Sequence, residues 1–233
     1  MKTALEEVVP WGRSRDEFVR MFSLTSEDLS GSIIDCAAGP ASFNAELTAQ
    51  GYEVISCDPL YSLTADEIRD RIGTTCDTVV ANARAASNEF VWRDFTSPDH
   101  LGDVRMEVMQ RFLADFPAGL REGRYLAQAL PHLDFHDGEF DLALCSHFLF
   151  TYSDQLSTEF HVAAIQEMCR VASEARIFPL LKSYGGASPH IEPVVVAFQE
   201  RGYEVEIRTV PYEFQRGGDK LLAVKKVRKT RAG

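Results

Sequence analysis

Nothing in this 233-residue chain approaches the roughly 20 consecutive apolar residues that a membrane helix requires. Its opening, MKTALEEVVPWGRSRDEF, carries acids early and lacks the apolar core of a signal peptide. Both absences point to a cytoplasmic protein with no membrane partner. Disulfide and zinc frames are missing too. Cys36, Cys57, Cys76, Cys145 and Cys169 form no C-x-x-C pair and stand mostly in apolar contexts, so they read as reduced, buried thiols. His100, His132, His136, His161 and His190 have no metal-ligand spacing, and no metal is expected. Positive charge is scarce. Lys and Arg number 24 against 35 Asp and Glu, for a formal net charge of −11. Five of the basic residues crowd into the terminal KKVRKTRAG, which contains no acid, so the rest of the chain is more acidic still. Such a body argues against broad contact with a phosphate backbone, and the basic tail reads as solvated. The dinucleotide fingerprint G-x-G-x-x-G is also absent.

What is present is an alternation of strand and helix signals across a single domain, residues 1–233. GRSRDEFVRMF spaces Ser14 and Glu17 as a capping box and sets Phe18, Met21 and Phe22 on one helical face. SIIDCA reads as a strand, ASFNAELTAQG as a helix ended by Gly51, and YEVISCD as the second strand. GRYLAQAL and EFDLALCS are the third and fourth strands. STEFHVAAIQEMCRVAS is an amphipathic helix, ARIF the fifth strand, and EPVVVAFQERG another helix. YEVEIRTVPYEF and DKLLAVKKV close the chain as strands with no helix between them, so they should pair antiparallel. The alternation implies an α/β fold, a mostly parallel sheet with helices on both faces.

The turn after the first strand, DCAAGPA, places Asp35, Ala37, Gly39 and Ala41 at alternate positions. Small residues there let the backbone approach a ligand, and the following helix offers free N–H groups. An acid in that position suits a ligand carrying an ammonium group. A ligand-free tight turn explains the same residues. The second strand ends in Asp58, 23 positions on, where a carboxylate can accept both hydroxyls of a ribose. Pro59 and Leu60 follow, apolar and able to lie against an adenine face. Together the two signals favour a nucleoside site.

DCAAGPA, VISCDPL and LDFHDGEFDLALCSHFLF resemble the first, second and fourth motifs of class I S-adenosylmethionine-dependent methyltransferases, and of their small-molecule branch in particular. The likeness covers roughly residues 31 to 60 and 124 to 227. It implies a Rossmann-like seven-stranded sheet whose last strand is antiparallel, and S-adenosyl-L-methionine as cofactor. Carried over by position, it implies that Asp35, Ala37 and Gly39 frame the methionine end. It gives Asp58 the ribose and Leu60 the adenine face. Ala129 and Leu130 would present backbone to the adenine edge, and Ser146 would lie beneath the transferring methyl group. Two of the three turn glycines of that family are alanine here. No carboxylate ends the third strand, where Gln128 is the nearest polar residue. The Asn-Pro-Pro-Tyr run that base-modifying relatives often keep is missing, which lowers a nucleic-acid substrate further.

The second and third strands are separated by more chain than one crossover needs. Residues 62–122 read as a helical insertion: TADEIRDRIGTTCDTVVANARAA, then the irregular NEFVWRDFTSPDHL, then GDVRMEVMQRFLADFP. It emerges beside any ligand and reads as a cap, with Phe90, Trp92 and Phe95 as apolar contacts. His147 directly follows the fourth strand, with Tyr152 and Asp154 close behind. It reads either as a general base or as a residue that only shapes the pocket. Three functions are open: a small-molecule methyltransferase, a nicotinamide-dependent oxidoreductase on a related fold, and a nucleoside-binding module without catalysis.

Overall fold

The Ser14–Glu17 spacing does close a capping box in the computed structural model, which describes residues 9–183 and 185–227. The box starts helix α1 (Arg15–Met21), and a second box, Thr25 with Asp28, starts the unanticipated short helix α2 (Ser26–Ser30). Residues 228–233 of the basic tail lie outside the described residues.

Seven strands form one sheet: β1 (Ile33–Cys36), β2 (Val54–Cys57), β3 (Tyr125–Leu126), β4 (Phe140–Ser146), β5 (Ala172–Phe178), β6 (Tyr203–Thr209) and β7 (Lys220–Lys226). Their order is β3-β2-β1-β4-β5-β7-β6. The first five run parallel, and β7 is antiparallel to both β5 and β6. This is the Rossmann-like sheet that the family resemblance implies. The chain winds outward from β1 to β3 on one side, then crosses to β4 on the other. A crevice therefore opens where the carboxyl ends of β1 and β4 part, the place where α/β sheets bind ligands.

Helices cover both faces. On one, Ile34, Ala143, Ala175 and Val224 pack against Ile165 and Met168 of α6 (Thr158–Val171) and Val194 and Phe198 of α7 (Ile191–Glu200). On the other, the alternate residues Ile33, Leu142, Leu144 and Ala223 meet Phe18 and Met21 of α1, Phe22 just beyond it, and Phe43 and Leu47 of α3 (Phe43–Thr48). Buried Asn44 of α3 donates to Val54 O and Ser56 Oγ, and its Oδ1 accepts from Arg124, which ties the helix to β2 and to the entry of β3.

Several boundaries differ from the sequence reading. β3 is two residues long, not the whole of GRYLAQAL. It is an edge strand with one neighbour, and Gln128 N–H turns back to Leu126 O at 2.8 Å, which takes the chain out of the sheet. β5 begins at Ala172, directly after α6, because Ala172 already pairs with Phe140. β6 stops at Thr209: Val210 N–H still reaches Asp219 O, but Pro211 has no N–H with which to continue. Between β2 and β3 lie helices α4 (Ala65–Ala85) and α5 (Pro98–Arg121). α5 starts ahead of the expected Gly102 because Ser97 caps it and Pro98 takes its first turn. Tyr61, Phe112, Phe116 and Tyr125 form a ring cluster that binds these helices to the sheet edge.

Candidate active site

The crevice is organised by the turn between β1 and α3. Ala37 and Gly39 both take left-handed backbone, with φ of 55° and 56°. Glycine adopts it freely, whereas Ala37 pays about 1 kcal/mol for its Cβ. A Cβ on Gly39 would meet nothing within 4 Å, so this glycine borders open space. Three bonds hold the turn. Ala38 N–H donates to Cys57 O at 3.2 Å, Gly39 N–H to Asp58 Oδ2 at 2.9 Å, and Tyr61 OH to Gly39 O at 2.7 Å. Asp58 Oδ1 accepts from Leu60 N–H at 2.8 Å. Turn and acid are thereby one unit. Burial raises the Asp58 pKa against the lowering effect of its two N–H donors. The segment before α1 lies over the turn so closely that a Cβ on Gly12 would come within 2.0 Å of Pro40 O.

A cavity of about 840 Å³ opens on this unit. The structure brings Ala37, Gly39, Asp58, Leu60, Ala129, Leu130, Ser146 and His147 together on its wall. Arg71, Thr74 and Thr75 of α4 and the N-terminal segment from Val9 to Arg13 complete it. Its size is in the range that small-molecule sites occupy. Asp35 is placed otherwise. It is 1 % exposed, it is not part of the cavity wall, and neither carboxyl oxygen has a partner among the described residues. Burial, with the charge of Asp58 added, holds its pKa well above the usual carboxylate range. Gln128, at the end of β3, accepts from Asp134 N–H at 2.9 Å and so secures the loop beyond it.

His147 also has left-handed backbone, φ 52°, fixed by its N–H donating to Phe178 O at 2.6 Å. Its Nδ1 lies 2.8 Å from Ser146 Oγ. Burial, then the charges of Arg13 and Arg105, push its pKa well below 6.5, so the imidazole is neutral at neutral pH. A smaller cavity, about 140 Å³, shares wall residues with the larger one: Val9, Trp11, Arg13 and His147 line both. Tyr152 lines the smaller one, its OH accepting from Val9 N–H at 2.9 Å. Asp154 does not enter the site; it holds Lys182 at 2.9 Å on the surface. Of the three aromatic residues expected as cap contacts, Phe90 reaches the smaller cavity. Trp92 and Phe95 pack instead on Phe90 and Phe214, and Trp92 Nε1 donates to Ser87 O. The sequence reading missed Trp11, Arg13, Tyr212 and Phe214 as wall residues. Their one signal was aromatic and basic residues beside Pro or Gly, in VVPWGR and VPYEFQRGG. Among the described residues, no three His, Cys, Asp or Glu side chains are grouped to hold a metal ion, and no helix is long and apolar enough to cross a membrane.

No protein-family model matches the chain. A search of curated proteins finds the uncharacterised protein MJ0045 of Methanocaldococcus jannaschii, 33% identical over 223 residues, spanning 95% of this chain and 98% of the archaeal one. The chain belongs to the MJ0045 family. Solved structures similar to this member of the family include magnesium protoporphyrin IX methyltransferase from Synechocystis PCC 6803 with bound S-adenosylmethionine. It is 13% identical at a TM-score of 0.48, over 91% of this chain and 78% of that one. Another is a methyltransferase dependent on the same cofactor from Aquifex aeolicus, 14% identical at a TM-score of 0.42, over 90% and 87%. At these scores the likeness carries no argument of its own.

Proposed function

We propose that this chain is an S-adenosylmethionine-dependent methyltransferase acting on a small molecule. The observation that carries the reading is the bond from Gly39 N–H to Asp58 Oδ2, which joins the turn after β1 and the acid after β2 on one cavity wall. The residues fit the cofactor. Each Asp58 oxygen accepts one N–H and keeps a second acceptor site, enough for the two hydroxyls of a ribose. Gly39 leaves room for a ligand to approach the backbone, and half-buried Leu60 offers an apolar face to a base. When bound, the cofactor supplies an electrophilic methyl group.

The rest is done by the chain. Asp58 and the turn orient the nucleoside and methionine ends, and Ala129, Leu130 and Ser146 close the wall toward β3 and β4. The acceptor occupies the smaller cavity and meets the larger one at His147. The neutral imidazole there can accept a proton from an oxygen or nitrogen acceptor. α4 contributes Arg71, Thr74 and Thr75 to the larger cavity, which supports reading residues 62–122 as a cap within a single domain. The net charge of −11 supports a small molecule over a nucleic acid. Calorimetric titration with S-adenosylhomocysteine and with NADH tests the reading. Binding of the first and not the second is expected. Binding of NADH, or of neither, overturns it.

A further inference from the structure

The smaller cavity contains a positive charge that no carboxylate pairs with among the described residues. Its wall includes the rings of Trp11, Phe90, Phe178, Tyr212 and Phe214, and Arg13 stands among them. Arg13 Nη1 donates to Trp11 O at 3.0 Å, its one side-chain hydrogen bond among the described residues, and Nε is buried with no partner. The acid that could balance it is committed elsewhere. Arg105 grips Glu17 with both nitrogens at 2.5 and 2.7 Å, and Tyr212 OH donates to Glu17 at 2.9 Å. Two guanidinium groups against one carboxylate leave a net positive charge. Burial and the charge of Arg105 bring the Arg13 pKa down to about 10, so the group stays charged at neutral pH. Arg13 is half-buried; an unpaired cation partly withdrawn from water is costly, and a ligand anion relieves the cost. The groups that act on Arg13 are Arg105, Tyr212, Glu17 and Tyr152, and Arg13 in turn acts on His147. Tyr212, Tyr152 and His147 line the smaller cavity. The wall also carries Thr151, whose Oγ1 is buried without a partner.

We propose that the smaller cavity binds the methyl acceptor as a planar, single-ring carboxylate, with its anion on Arg13 and its ring among the aromatic walls. The volume agrees: the cavity measures about 140 Å³, and an engineered apolar cavity of about 150 Å³ holds a benzene ring. The proposal rests on the reading that this cavity takes the acceptor. A carboxylate at the junction has one rival source, the amino-acid end of the cofactor, because Arg13 lines the larger cavity as well.

The test uses the full chain with saturating S-adenosylhomocysteine, titrated with benzoate, 4-hydroxybenzoate and pyrrole-2-carboxylate, each against its carboxamide. Binding is read by calorimetry and by Trp11 fluorescence in a Trp92→Phe background. At least one carboxylate should bind tenfold or more tightly than its amide, since hydrogen bonds to a charged partner exceed neutral ones by about that factor. Arg13→Gln should abolish the preference, and Arg13→Lys should keep part of it. S-adenosylhomocysteine and 5′-methylthioadenosine, which lacks the amino-acid end, should each bind the Arg13→Gln chain within a few fold of the parent. Equal binding of every acid and its amide overturns the proposal. So does an Arg13→Gln chain that loses S-adenosylhomocysteine but keeps methylthioadenosine, because Arg13 then serves the cofactor. Selective carboxylate binding in a chain that binds no S-adenosylhomocysteine removes the methyltransferase reading and leaves the anion site standing.

Discussion

The two cavities that meet at His147 are assembled in opposite ways. The larger one is built at strand ends, from Ala37 to Gly39, Asp58 to Leu60, Ala129 to Leu130 and Ser146 to His147. Each pair or triplet directly follows a strand or a short turn beyond it, and the parallel register brings the groups side by side. The smaller one is built mostly from segments outside the sheet ladder: the chain before α1, α4 and the irregular stretch after it, the loops after β4 and β5 and the connection between β6 and β7, with Phe178 at the end of β5 among them. The first is set by secondary structure and the second by tertiary packing. The comparison separates what topology alone positions from what packing must add.

The largest effect should come from Asp58. Asp58→Ala should weaken S-adenosylhomocysteine by about 30- to 1,000-fold. Each hydrogen bond to a charged acceptor is worth about 1.5–3 kcal/mol, two on one carboxylate do not simply add, and 1.4 kcal/mol is a factor of ten. The structure adds a second route to the loss, because Gly39 N–H and Leu60 N–H would lose their acceptor and the turn would loosen. Binding of benzoate-class probes to the smaller cavity should change little. Equal losses at both cavities would mean that they are one unit and would end the comparison.

His147 stands on the partition. His147→Gln should lower turnover by about 100-fold if the imidazole accepts a proton, with S-adenosylhomocysteine affinity held within a few fold. A fall of only a few fold would leave His147 as wall. Its depressed pKa also sets the pH dependence of the parent. The neutral form persists as pH falls below 6.5, so the turnover profile should be flat from pH 8 down to that point and decline only further down.

The difference in assembly also explains how much could be read in advance. The order of elements, the parallel sheet and its antiparallel end follow from periodicity and turn residues, which are local. Gly39, Asp58 and Ser146 were legible because a residue at or just beyond the end of a strand is placed by the strand. Asp35 was only half legible. It lies inside β1, next to its last residue, and the register of β1 against β2 and β4 buries it behind the wall. Arg13 was illegible. It is one of 24 basic residues, and only the folded chain shows Glu17 taken by Arg105 and Arg13 left without a carboxylate among the described residues. Trp92 and Phe95 illustrate the same limit: an aromatic residue in an irregular stretch fills a satellite core as readily as a pocket.

Asp35, behind the larger cavity, yields a smaller effect, seen in stability against pH. Its folded-state pKa is raised, so the neutral carboxyl favours the fold at pH below its unfolded value, and that stability is lost as pH rises through the folded value. Asp35→Asn removes the titration. Relative to the variant, the parent should therefore lose unfolding free energy from about pH 4 upward, by about 1.4 kcal/mol for each unit of pKa displacement. Denaturant unfolding of both proteins between pH 4 and 8 measures the slope. Parallel pH curves would show that Asp35 is ionised in the fold, and the wall behind the turn would need a cation to match it.

The smallest effect belongs to Ala37, and it sharpens the comparison most. The residue sits at φ 55°, where its Cβ costs about 1 kcal/mol. Ala37→Gly removes that cost but adds freedom to the unfolded chain, worth about 0.4–1 kcal/mol in the other direction. The two should nearly cancel, leaving stability within about 0.5 kcal/mol of the parent. S-adenosylhomocysteine affinity should also hold, because the bonds from Ala38, Gly39 and Tyr61 that fix the turn do not involve the Ala37 side chain. Ala37→Val is the opposite case. A β-branched residue at positive φ is a strong outlier, so this variant should lose stability as well as ligand. If Ala37→Gly instead binds much more tightly than the parent, the methyl group was obstructing the cavity. The alanine in place of a glycine would then be a restraint on cofactor binding, and the larger cavity, like the smaller, would owe its fit to more than strand ends.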